Sequence, residues 1–285
     1  MGREWVTVDE GRAAVPETPF DESERRTWAG SAEAYAAGFA RLCAYPVPRL
    51  LDAAGVGEGT RVLDVGTGTG SVAAAARARA ARVTAVDAEP EMVRSAARAV
   101  PDADVRTAAL PHLPFPDGEF DAVIGNFVLN HVGRPAAALR ELRRVTAPGG
   151  RIALTIWAAP AAPGQALLGR AVQAAGAVRP AHLPTLAPED DFPRTAHGLA
   201  TLLRAADLAE VTCRQLSWNH RTTIEEWWRG PAAGVASIGQ IVISQPPAVI
   251  ERIRHQLGVL AEEFMEADGR LVLPHSALLA VGAVG

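Results

Sequence analysis

The sequence predicts an α/β protein built on a doubly wound, mostly parallel sheet, and three observations predict it. Short apolar runs alternate with helix-forming segments along much of the 285-residue chain. One run, Val62, Leu63 and Val65, stops at Gly66, Gly68 and Gly70, three glycines spaced two apart, before an alanine-rich segment from Ser71. A second run over 82–86 ends in Asp87, 21 residues after Gly66.

The first run reads as a strand covered on both faces, because strands of parallel sheets are near-continuous in valine, isoleucine and leucine. Glycine lets the chain turn tightly and lets a ligand approach the backbone, since a Cβ would obstruct both. Ala73, Ala74, Ala75, Ala76 and Ala78 are strong helix formers. The unit is therefore strand, glycine loop, helix. An acid at the tip of the second strand of such a unit accepts hydrogen bonds from both ribose hydroxyls. Loop and acid together imply an adenosine-type cofactor. The dinucleotide fingerprint places glycine first, third and sixth, whereas here the fifth place is Gly70 and the sixth is Ser71. Asp64, two residues before the first glycine, disfavours a bound pyrophosphate and suits a ligand carrying positive charge.

Asp64, the loop over 66–70 and Asp87 resemble the first two motifs of the class I S-adenosylmethionine (SAM)-dependent methyltransferases. The resemblance continues in family order through Leu113-Pro114-Phe115-Pro116-Asp117-Gly118, then Asn126-Phe127-Val128-Leu129-Asn130-His131-Val132, then Leu139 to Val145 and Pro148-Gly149-Gly150. It implies a seven-stranded, Rossmann-like methyltransferase fold with a helical lid or cap, SAM as cofactor and S-adenosylhomocysteine (SAH) as product. Carried onto this sequence, it assigns cofactor contacts to Asp64, Gly66, Thr67, Gly68, Gly70, Asp87, Ala88, Met92 and Asn126, the last through its backbone. The family often places an acid after the third strand to bind the adenine amino group. Here Ala109 stands there, so Ala109 and Leu110 are expected to read adenine through their backbone.

Along the chain, residues 1–22 read as a loose polar arm, and 23–41 as a helix in which Trp28, Ala32, Tyr35, Ala36 and Phe39 recur at helical spacing. The resemblance makes this segment a lid. Helices are expected at 49–54, 89–99 and 135–145, and strands at 103–108, 120–126 and 152–157. Residues 158–197, scattered with proline, read as an insertion without a long periodic element. A helix at 199–206 and a strand at 211–216 resume the core. A second excursion over 218–267 carries Trp218, His220, Trp227 and Trp228 and ends in a helix from 247 to 264. Residues 271–284 supply the last strand. The expected organisation is arm and lid helices over 1–50, cofactor core over 51–157, cap over 158–197, core over 198–217, cap over 218–267 and a core strand over 268–285.

Ligands of doubly wound sheets lie beyond the carboxyl ends of the strands, which puts Asn126, Asn130 and His131 at the cofactor site. His131, Asn130 and Tyr35 are the candidate catalytic residues, with packing roles as the alternative reading. Trp28, Tyr35, His131, Trp218 and Trp228 are the candidate acceptor-binding residues. Several of these aromatics equally suit plain core packing.

The chain has no lysine, all 28 basic residues being arginine, which excludes Schiff-base chemistry and the lysine-containing phosphate loop. A net charge of −4 with no basic stripe argues against nucleic acid as partner. No run approaches a membrane span, so the expectation is a soluble, cytoplasmic protein, monomer or homodimer, with two reduced cysteines. The histidines sit singly, so no metal is expected. Methyl transfer from a sulfonium needs alignment above all, worth ~7–11 kcal/mol when geometry is right. The sequence thus points to methylation of a small, aromatic or hydrophobic acceptor at N, O or C, as in specialised metabolism. The alternatives are an NAD(P)-dependent oxidoreductase and a SAM-binding protein without methyl transfer.

Overall fold

A computed structural model describes residues 16–285. Most of the arm expected over 1–22 lies outside these residues. The part within them is not loose. Thr18 and Asp21 form a reciprocal capping box, with Pro19 in the first turn, and open helix α1 (Pro19–Trp28). Helix α1 ends before Gly30, whose φ of 72° breaks the single helix expected over 23–41. The segment becomes three short helices: α1, α2 (Ala32–Ala37) and α3 (Phe39–Cys43).

The core follows in alternation: α4 (Val47–Ala53), β1 (Arg61–Val65), α5 (Ser71–Arg77), β2 (Arg82–Asp87), α6 (Pro90–Ala99), β3 (Asp104–Thr107), β4 (Phe120–Asn126), α7 (Pro135–Val145) and β5 (Thr146–Trp157). Then come α8 (Pro163–Ala174), α9 (Ala196–Arg204), β6 (Ala209–Thr222), α10 (Ile224–Ala232), α11 (Ala236–Ile243), α12 (Pro247–Ala261) and β7 (Leu271–Ala283). The seven strands form one sheet in the order β3-β2-β1-β4-β5-β7-β6. Strands β1 to β5 pair in parallel, and β7 inserts antiparallel between β5 and β6. This is the expected seven-stranded, mostly parallel doubly wound sheet. Strand order reverses between β1 and β4, which is where a ligand crevice opens.

Each sheet face has its own core. Leu50 and Leu51 of α4 with Val72, Ala73 and Ala76 of α5 cover one face. Leu139 and Leu142 of α7 with Leu199 and Leu203 of α9 cover the other. Each such fully buried leucine contributes about 1.5–3 kcal/mol of transfer free energy. A third cluster joins Leu167 and Ala171 of α8, Trp227 of α10 and Ile253 and Leu257 of α12 to Leu271 and Leu273 of β7. It is the cap.

Three elements depart from the sequence reading. Residues 158–197 contain helix α8, whose Gly164 meets β7 so closely that a Cβ there would stand 2.6 Å from the Leu273 backbone. Strand β6 runs on to Thr222, so Trp218 and His220 lie on the sheet and not in a cap excursion. Helix α10 follows at once, opened by a Thr223–Glu226 capping box.

Candidate active site

The glycine loop is held from beneath. Asp64 is wholly buried, and its Oδ2 accepts from the Thr67 hydroxyl at 2.7 Å and from the Ala73 N–H at 3.1 Å. The carboxylate thereby ties the loop to the first turn of α5. Burial pushes its pKa up to about 7, against the lowering effect of those two hydrogen bonds. Its Oδ1 is buried without a partner among the described residues. Asp64, Thr67 and Gly70 were expected as cofactor contacts. None of them reaches the cavity surface. Gly70 serves packing instead: its φ is 91°, and a Cβ would stand 3.1 Å from the Ala96 backbone of α6.

Gly66 and Gly68 do line a cavity of about 530 Å³, a size ordinary for small-molecule sites. Both have positive φ, and a Cβ on Gly66 would collide with Val128 at 2.5 Å. Asp87 lies at the tip of β2, where Oδ2 accepts from the Gly68 N–H at 2.8 Å and Oδ1 from the Glu89 N–H at 3.0 Å. Each oxygen keeps a lone pair for a hydroxyl. Burial raises the pKa of Asp87. Ala88, Met92, Ala109 and Leu110 continue the wall as an apolar slot suited to a planar base, with no acidic side chain at 109.

Asn126 also lines the cavity, but its side chain is committed. Its Nδ2 donates to the Cys43 carbonyl at 2.8 Å and its Oδ1 accepts from the Thr155 hydroxyl at 2.7 Å. Only its backbone remains for a ligand. Phe127 follows with a φ of 62°, a strained value for a non-glycine residue, and stacks on Trp157 at 4.1 Å.

Helix α1 lines the cavity with Asp21, Glu24, Arg25 and Trp28. Asp21 Oδ1 accepts from the Gly133 N–H at 2.6 Å, and the Ser23 hydroxyl donates to the His182 carbonyl at 3.0 Å. Behind these anchors Glu24 is buried, 8% exposed. Its Oε2 accepts from Trp28 Nε1 at 3.1 Å and lies 2.7 Å from His131 Nδ1. A carboxylate only accepts, so Nδ1 carries the proton and Nε2 of neutral His131 keeps a lone pair. Trp28 packs edge-on against both His131 (5.1 Å) and Tyr35 (5.6 Å). Burial raises the Tyr35 hydroxyl pKa well above its ordinary value, and its hydrogen-bond partner is the Cys43 thiol, itself pushed up by burial to about 12.

Of the remaining candidates, Trp28, Tyr35 and His131 line the cavity, whereas Asn130, Trp218 and Trp228 do not. The Asn130 amide nitrogen is buried and unpartnered among the described residues. Trp218 stacks on Tyr45 at 5.9 Å on the sheet, and Trp228 packs into the cap cluster. Trp157, Trp227 and His275 take their place in the cavity wall. The one-residue shift from Trp228 to Trp227 is a helix-phase difference of about 100°. Trp157 ends β5, the strand beside β4, at the carboxyl edge of the sheet, a signal present in the sequence. Glu24 carried none, because nothing local distinguishes it from its charged neighbours. Among the described residues no group of three or more His, Cys, Asp or Glu is placed to hold a metal, and no helix is long and apolar enough to cross a membrane.

A switch-point crevice, a glycine loop and an acid at the tip of β2 define an α/β protein built to hold an adenosine-containing cofactor. A sequence model described as a methyltransferase domain matches residues 63–154, the segment from β1 into β5 that carries the glycine loop and Asp87. A demethylmenaquinone methyltransferase of Beutenbergia cavernae is 40% identical over 120 residues, covering 42% of this chain and 50% of the relative. The chain thus spans about half the length of that curated relative. The YcgJ protein of Bacillus subtilis superposes with a TM-score of 0.53 at 21% identity, covering 84% of this chain and 97% of the other. A phosphoethanolamine N-methyltransferase of Haemonchus contortus, solved with SAH, gives 0.57 at 15% identity over 93% of this chain and 59% of its own. At these identities the structural likeness is one of fold.

Proposed function

We propose that the protein transfers the methyl group of SAM to a small, ring-bearing acceptor. One observation carries the reading: one cavity is lined both by Gly68 and Asp87 and by the aromatic rings of Trp157 and Trp227, with His131 on its wall. The residues present fit the cofactor. Asp87 would take the ribose hydroxyls, the slot of Ala88, Met92, Ala109 and Leu110 the adenine, and the Asn126 backbone the methionine part. SAM, when bound, supplies an activated methyl on a sulfonium, so the chain need not activate the leaving group. What the chain adds is alignment of the acceptor and exclusion of water by α1 and α2.

His131 Nε2, its ring fixed by Glu24, would take the proton of a hydroxyl or amine as that atom attacks the methyl, or, for an activated ring carbon, the ring proton released after the carbon has taken the methyl. The curated relative is named for a quinone acceptor, which accords with the aromatic wall. The test is incubation with methyl-labelled SAM and a panel of phenols, hydroxynaphthalenes and aromatic amines. Transfer to a member of the panel is expected. Tight SAH binding with no transfer to any of them would instead favour a cofactor-binding protein without methyl transfer.

A further inference from the structure

The cavity ends against aromatic side chains from three separate elements: Trp157 closing β5, Trp227 on α10 and His275 on β7. The rings of Trp157 and Trp227 lie 6.1 and 5.6 Å from that of His275. His275 is 1% exposed, and what is exposed belongs to the cavity. Its Nδ1 lies 2.8 Å from the Leu273 carbonyl oxygen. A carbonyl only accepts, so Nδ1 carries the proton. Burial above all, with a smaller contribution from His220, holds the pKa down at about 4, against the raising effect of the Leu273 carbonyl, so the ring is neutral and Nε2 retains its lone pair. No described residue donates to it. An acceptor set among aromatic rings calls for a donor, which a bound hydroxyl can bring; the Trp227 Nε1–H of the same wall is likewise without a partner among the described residues and is left for that ligand's oxygen.

Flat aromatic walls take planar rings edge-on or offset. We propose that this end of the cavity is the acceptor subsite and that it selects a neutral planar ring bearing a hydroxyl, which donates its hydrogen bond to His275 Nε2. An anionic ring substituent would set acceptor against acceptor at His275 Nε2 and is rejected. A methyl ether offers no proton and loses the contact. His275 acts here in binding, distinct from His131, which faces the proton to be removed. The word acceptor rests on the methyl-transfer reading, but ring selection does not.

The test is isothermal titration of the full chain with 2-naphthol, 2-methoxynaphthalene and naphthalene-2-carboxylate, alone and with SAH. The expected result is 2-naphthol binding about 3- to 10-fold more tightly than its ether, and no measurable binding of the carboxylate. His275→Leu should bring naphthol down to the ether's affinity, and His275→Gln, which restores an acceptor, should recover part of the difference. SAH affinity and circular dichroism of both variants report that they fold. Equal affinity of the wild-type chain for naphthol and ether, or a preference that survives His275→Leu, overturns the subsite. Intact ring selection in a chain that does not bind SAH overturns the cofactor reading and leaves the subsite standing.

Discussion

On the proposed reading, Asp87 holds the cofactor and His131 serves the acceptor. A carboxylate that already accepts two backbone N–H groups is fixed in place before the ribose arrives. Asp87→Ala removes both the ribose contacts and the tether on Gly68. Charge-assisted hydrogen bonds of this kind are each worth about 1.5–3 kcal/mol, so SAH affinity measured by titration should fall by at least about 10- to 100-fold, the loss of one such bond; unchanged affinity would refute the ribose role. His131→Ala should leave SAH affinity nearly untouched while kcat drops by about 10²–10⁴-fold, the usual worth of a positioned base. Glu24→Gln should lower kcat by less, because the imidazole keeps a hydrogen-bond partner that holds its ring in place. A His131→Ala protein that fails to fold would make the histidine a packing residue.

At the scale of elements, the glycine loop is a steric device as much as a binding one. Gly66→Ala adds a positive-φ penalty and a collision with Val128; overpacking of this sort costs about 1–3 kcal/mol. Gly55 has a similar φ of 70° with nothing within 4 Å of its Cβ position, so Gly55→Ala pays the backbone strain alone. Thermal melts should show a larger loss for Gly66→Ala, together with loss of SAH binding that Gly55→Ala does not share. Equal losses would mean that Val128 yields. The same local physics explains what the sequence disclosed. The strands β1, β2 and β4 and the helices α5 to α7 were legible because continuous apolar runs, caps and Gly or Pro breaks all sit within a few residues. Asp87, Met92 and His131 reached the cavity because they stand at strand tips or in the first turns beyond them. Helix α8 and the extension of β6 were not legible, since Gly164 and Trp218 take their places from contacts with β7, more than fifty residues away in sequence. Glu24 meets His131 across 107 positions, and no pattern near either residue marks the pairing.

For the whole molecule, three buried ionisable groups shape stability against pH. Asp64 ionises near pH 7 in the fold and near 3.8 in the unfolded chain. Between those values the folded state holds the extra proton, so this group erodes stability as pH rises towards 7 and adds nothing further above it. His220 and His275, both lowered to about 4 by burial, act oppositely. The unfolded chain binds their protons below pH 6.5, so stability rises from pH 4 to 6.5 and then levels. The opposing slopes make the wild-type curve alone a poor reporter. The difference between wild type and Asp64→Asn isolates the carboxylate. The variant keeps an oxygen for Thr67 and Ala73, and its advantage in melting temperature should grow from pH 4 to 7 and then stay constant. A difference independent of pH would show that Asp64 is ionised throughout.

The central claim is that the Gly66–Gly68 loop and Asp87 grip an adenosyl sulfonium whose methyl faces the aromatic end of the cavity. A crystal structure of the complex with SAH tests it most directly. The account predicts the ribose hydroxyls on Asp87, adenine beside Met92 and Leu110, and the sulfur turned towards the side of the cavity that holds His131 and Trp157. SAH bound elsewhere, or a ribose that makes no contact with Asp87, would contradict it.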